Sequence, residues 1–149
     1  MTFTTPGATG DTVELRIGAR PENIGIVRLA LSGVAAAAAA PADVVADLKL
    51  AVSEACTNAV QYAYPAGDAE AEVVVRFVVG DRRLSVEVSD FGGGLESRTT
   101  AAWDEPVDGR LGMGLSIMRA VTDELDITSD ERGTRVSFSR GFDTAPAES

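Results

Sequence analysis

Val52-Ser53-Glu54-Ala55-Cys56-Thr57-Asn58-Ala59 is the stretch on which the reading of this chain turns. It lies in a long helical segment, roughly Asp43 to Tyr62, where Leu48, Ala51, Val52, Ala55 and Ala59 recur at the helical period and form a core stripe. Glu54 and Asn58 are four apart, so they project from one face, off that stripe. A carboxylate beside an amide oxygen suits a magnesium–phosphate site. Asn supplies an oxygen ligand to a cation that keeps its waters and binds substrate phosphates, and Glu accepts a proton from an attacking hydroxyl. Taken alone, the pair is equally what a solvated helix face carries.

Working outward, two more segments bear on the choice. Val88-Ser89-Asp90-Phe91-Gly92-Gly93-Gly94-Leu95 is an apolar strand ending in an aspartate and three glycines. Asp90 there can accept a charge-assisted hydrogen bond from an exocyclic amine such as that of adenine, and Gly92 and Gly94 let backbone approach a flat ligand. The same residues also favour an ordinary strand-ending turn. Gly109-Arg110-Leu111-Gly112-Met113-Gly114-Leu115-Ser116-Ile117 leads glycines into an amphipathic helix, an arrangement that turns free N–H groups and a positive dipole end toward phosphate. Asp90-Phe91-Gly92 coincides with a protein-kinase tripeptide, but the partner motifs of that family are missing.

Around these segments the pattern predicts β-α-α-β-β-α-β-β. Thr12–Ile17 alternates as a strand. Pro21 opens a first helix carrying Ile24, Val27, Leu31 and Val34, which runs into alanines and stops at Pro41. Glu72–Val79 and Leu84–Ser89 read as a hairpin. A Gly-rich, then acidic loop spans Phe91–Leu111, a third helix runs roughly from Met113 to Glu124, and Leu125–Ser129 and Thr134–Ser139 are the last strands. This order predicts an α+β two-layer sandwich, with one mixed, mostly antiparallel sheet and helices on one face. Residues 12–140 are expected to form one domain, flanked by flexible segments at 1–11 and 141–149.

Absences narrow the chemistry. The 149-residue chain has a formal net charge of −10, which argues against direct nucleic-acid binding and against an anionic membrane surface. It has no histidine, so a His-based triad, a His zinc site and histidine autophosphorylation are excluded within it. Its one lysine, Lys49, precedes Leu50 and cannot serve a phosphate-binding Gly-Lys-Ser/Thr loop. Its one cysteine, Cys56, excludes an intramolecular disulfide and reads as a small buried hydrophobe. With no signal-like start and no apolar run near membrane-spanning length, a cytoplasmic location is expected. Trp103, the sole tryptophan, lies in the acidic loop, where it either packs locally or meets a partner.

The three segments, in this order and spacing, match the N box, G1 box and G2 box of the GHKL (Bergerat-fold) ATPase superfamily. From about Ala19 to Ser139 the chain resembles the anti-sigma-factor serine/threonine protein kinases. Ala51–Ala59 is similar to their N box, Gly112–Met118 followed by Asp123-Glu124 to their G2 helix, and Gly133-Thr134 to the hairpin whose threonine backs the adenine aspartate. Ala19–Asn23 and Arg28 resemble their partner-docking first helix. Glu54 suits a serine kinase or an ATP-hydrolysing machine, because a hydroxyl needs help losing its proton; histidine kinases usually carry Asn there.

The resemblance implies ATP and Mg²⁺ as cofactors, with Asp90 and Thr134 at adenine and Asn58 on the metal. It puts Gly112, Met113 and Gly114 at the phosphates, Arg110 as a charge clamp and Glu54 as general base. It implies phosphoryl transfer to a Ser/Thr of a STAS-type anti-anti-sigma protein, sequestration of a sigma factor, docking through Arg28, and a homodimer. Two departures stand out: Tyr62 replaces a frequent histidine, and the loop Glu96–Val107 is short and acidic and lacks a Thr-Thr-Lys-like segment. They motivate an alternative, a nucleotide-dependent sigma-factor or regulator binding module with weak or no kinase activity.

Overall fold

The computed structural model describes residues 11–62, 71–91 and 109–143, without the side chains of Tyr62 and of residues 109–113. Five strands form one sheet: β1 (Thr12–Gly18), β2 (Glu72–Gly80), β3 (Arg83–Asp90), β4 (Glu124–Asp130) and β5 (Gly133–Gly141). Their spatial order is β1-β2-β3-β5-β4, and every pairing is antiparallel, so the described sheet is not mixed. Three helices complete the α+β fold: α1 (Ile24–Ala37), entered through a single 3-10 turn at Pro21–Asn23, then α2 (Ala42–Tyr62) and α3 (Gly109–Val121).

Strand alternation decides which sheet face the helices cover. Leu15, Val75, Val88, Val136 and Ile127 form a row across all five strands by register. They face a core completed by Val27, Leu31 and Val34 of α1, Leu48, Val52, Ala55 and Cys56 of α2, and Leu115 and Met118 of α3. The opposite face carries a chain of ion pairs, Glu72–Arg16–Glu14–Arg76–Glu87–Arg135, at 3.2–3.9 Å. Each exposed pair contributes little alone, but together they make a layer that no helix needs to cover. Cys56 is fully buried, and burial pushes its thiol up to about 12, which suits an inert core residue. No helix among the described residues is long and apolar enough to cross a membrane.

Helix α2 is the central helix, packed between α1 and α3 and over β2, β3 and β5. Its first turns are tied to the end of β5 by Arg140, which pairs with Asp47 at 3.1 Å and Asp43 at 3.7 Å. Helix α1 ends before Pro41 because Ala39 takes a left-handed conformation (φ 59°) and the Ala40 N–H reaches back to the Ala35 carbonyl at 3.0 Å. Helix α3 starts four residues before the expected Met113 and ends three before Glu124. At its end the Thr122 hydroxyl donates to the Met118 carbonyl at 2.7 Å, and the Asp123 N–H donates to the Ser139 carbonyl at 2.8 Å, drawing the chain into the sheet.

Candidate functional site

The residues singled out on α2 meet α3. Asn58 is buried, Glu54 is half-buried, and both lie beside Gly114. A Cβ built on Gly114 would stand 2.7 Å from Glu54 Oε1 and 3.7 Å from Asn58 Nδ2. The amide nitrogen of Asn58 is buried with no hydrogen-bond partner among the described residues. A buried amide nitrogen without a partner is costly, so this end of α2 carries polar capacity that the described residues do not use.

The second cluster lies where β3 ends and β5 begins. Asp90 ends β3 facing inward, 5% exposed, and its Oδ1 accepts the Thr134 backbone N–H at 3.3 Å. Thr134 is also buried, its hydroxyl 3.0 Å from that of Ser129 on β4, with which it shares a hydrogen bond. Gly133 is what lets these strands close up. Its φ is +149°, a conformation that side chains rarely adopt, and a Cβ there would overlap the Asp90 carbonyl. A cavity of about 350 Å³ opens at this edge, lined by Asp90, Phe91, Ser129, Gly133 and Thr134 among others.

The sequence motifs thus resolve into an α2–α3 seam holding Glu54, Asn58 and Gly114, and a strand-end pair holding Asp90 and Thr134. Arg28 is exposed on α1, next to Leu29, which is 74% exposed, and near the exposed Ile26. Gly92, Gly94, Trp103 and the acidic loop lie outside the described residues, as do the side chains of Tyr62, Arg110 and Met113. The early start of α3 changes one expectation. An α-helix leaves only its first four N–H groups uncommitted. With the helix beginning at Gly109, those four run to Gly112, while Gly114 falls inside the hydrogen-bonded ladder. Two features escaped sequence reasoning. Ser129 had no signal beyond its place in a strand. Leu29 had one, since it falls off the core stripe of α1.

The Histidine kinase-like ATPase domain family matches residues 17–140. The chain is similar to Serine-protein kinase RsbW of Bacillus pumilus, at 41% identity over 89% of this chain and 86% of the relative. It is also similar to Serine-protein kinase RsbW of Bacillus subtilis, at 38% identity over 87% and 85%. Among solved structures, the RsbU and RsbW domains of a Mycobacterium tuberculosis protein superpose with TM-score 0.64 at 24% identity, over 86% of this chain and 32% of that one. The histidine kinase domain of a blue-light activated histidine kinase from Erythrobacter litoralis gives TM-score 0.52 at 23% identity, over 91% and 69%. At those identities the two structures speak for the fold alone.

Proposed function

The chain belongs to the histidine kinase-like ATPase family and, within it, to the RsbW serine-protein kinases; from this we propose that it acts as an anti-sigma factor, holding a sigma factor and phosphorylating a serine or threonine of a STAS-type anti-anti-sigma partner. It is an ATP-dependent protein kinase. The observation that carries the assignment of its site is the α2–α3 seam, where Gly114 brings the third motif against Glu54 and Asn58 of the first.

In this reading Asp90 accepts the adenine amine, with Thr134 holding the carboxylate in place and Gly92 and Gly94 beside the base. The first turn of α3 offers its N–H groups to the phosphates, and Arg110 neutralises charge developing on the transferred phosphoryl. Glu54 takes the proton of the partner's hydroxyl as that oxygen attacks. The side-chain oxygen of Asn58 would be the magnesium ligand, and its buried Nδ2, with no partner among the described residues, would donate to a phosphate oxygen. A magnesium ion held there would supply neutralisation of phosphate charge. Arg28, with Leu29 beside it, marks the face of α1 for protein docking. A homodimer belongs to the same proposal.

Two substitutions test the nucleotide assignments. Asp90→Asn replaces a charged acceptor by a neutral amide, and losing a hydrogen bond to a charged group costs roughly 1.5–3 kcal/mol. ATP affinity by calorimetry is expected to fall about 10- to 150-fold, with GTP weak for both proteins because guanine presents a carbonyl where adenine has its amine. Unchanged ATP affinity would remove Asp90 from the adenine site. Asn58→Ala is expected to lower Mg²⁺-dependent phosphotransfer at least about 10- to 100-fold, the range that loss of even an outer-shell metal partner produces. Binding of nucleotide in EDTA should change far less. Equal losses with and without the metal would make Asn58 a packing residue.

A further inference from the structure

We propose that Gly114 is a positioning residue for the Glu54 carboxylate: the side chain it lacks leaves the slot in which that carboxylate sits. The inference rests on the proton-accepting role proposed for Glu54 and goes beyond it by assigning what holds that group in place.

Glycine within a helix is disfavoured relative to alanine, so Gly114 in the second turn of α3 calls for a reason. Its backbone is not the reason. Among the described residues the one glycine with a positive φ is Gly133, and Gly114 adopts helical geometry that any residue tolerates. Free N–H groups are not the reason either, because its N–H lies beyond the uncommitted first four. Space remains. A Cβ at 114 would stand 2.7 Å from Glu54 Oε1, closer than a Cβ comes to another heavy atom, while Glu54 Cδ and Asn58 Nδ2 would lie at 3.7 Å, ordinary contact distance.

The obstacle is therefore the tip of one side chain. An added methyl group is accommodated by swinging the Glu54 carboxylate aside, without parting α2 from α3 and without displacing Asn58. Gly33 supplies the contrast: it too lies within a helix, but a Cβ there meets nothing within 4 Å. The slot at 114 is set by its neighbour and not by the helix.

The experiment compares the full-length chain with Gly114→Ala, Glu54→Ala and the double variant. Misplacing a reacting group by about 1 Å can cost 10²-fold. The turnover number for phosphorylation of a STAS partner should therefore fall about 100-fold in Gly114→Ala, with far less change in KM for ATP. A role in helix packing alone predicts instead a lowered melting temperature, with the turnover number of the folded protein unaltered. In the Glu54→Ala background the second substitution should add no further slowing, because the group it displaces is gone.

A second measurement is independent of activity. The carboxyl carbon resonance of Glu54, assigned with Glu54→Gln, should shift in Gly114→Ala. An unmoved resonance overturns the proposal, and so does equal slowing by Gly114→Ala with and without Glu54. Loss of ATP binding along with a lowered melting temperature also overturns it, in favour of packing. If the unchanged chain phosphorylates no partner, the kinase assignment fails on its own, and the resonance still decides whether Gly114 sets the carboxylate.

Discussion

Replacing Glu54 by alanine is expected to slow phosphorylation of the protein partner by about 10²–10⁴-fold, the usual contribution of a positioned general base. An unactivated hydroxyl is a weak nucleophile near neutral pH. In the proposed arrangement the other residues act on the nucleotide: Asp90 at the base, Asn58 and the first turn of α3 at the phosphates. Phosphoryl transfer needs that positioning and charge neutralisation with or without a base, so a residual rate should persist. ATP affinity should stay near that of the unchanged protein, because the role proposed for Glu54 is toward the incoming hydroxyl and not the nucleotide. Capture of a sigma factor should also persist. The measurement is a time course of phosphate incorporation into purified partner. If the variant labels its partner as fast as the parent, Glu54 is not the base, although the kinase assignment stands.

Gly133→Ala is expected to destabilise the fold by about 2–5 kcal/mol, combining the strain of a side chain at an unfavourable φ with the displacement of backbone it would overlap. For a domain of this size that corresponds to a fall in Tm of roughly 5–20 °C. The loss should not be confined to stability. The Asp90 carbonyl occupies the place of the new methyl group, so the end of β3 must move, and with it the carboxylate that accepts the Thr134 N–H. ATP binding should therefore weaken in the protein that still folds. Gly33→Ala in exposed α1, with nothing within 4 Å of the new Cβ, should instead stabilise by up to about 1 kcal/mol. Thermal unfolding of both variants, with and without ATP, checks the pair of outcomes. A Gly133→Ala protein as stable as its parent would mean that β3 and β5 have room the structure does not show.

Most elements were legible in the chain because their signals are local. Alternation set the strands to within a residue or two, Pro21 and Pro41 bracketed α1, and the Leu48–Ala59 stripe marked the buried side of α2. The start of α3 was misread for an instructive reason. Glycines at 109 and 112 look like a loop when only intrinsic preference is weighed, yet the helix takes in both. The sheet's order was equally hidden. Strand β5 lies between β3 and β4, a non-local choice that alternation does not express. Of the site, Glu54, Asn58 and Asp90 were picked out from residue type and spacing, and Thr134 through the resemblance to the kinase family. The division into a helix seam and a strand-end pair needed the fold.

The Arg140 pairs at the start of α2 have a consequence for the angular setting of the helix. Asp43, Asp47, Glu54 and Asn58 are spaced by four, seven and four residues along it. Seven residues bring a helix back to within about 20° of the same bearing, some 10 Å further along its axis. The two aspartates held by β5 and the two residues facing α3 therefore share one flank. A helix resting on the sheet through alanines and valines alone could roll, and a roll of one residue would turn Glu54 through 100°. The guanidinium gripping that flank works like an indexing pin on a shaft: it sets the bearing of the far end while standing clear of the chemistry.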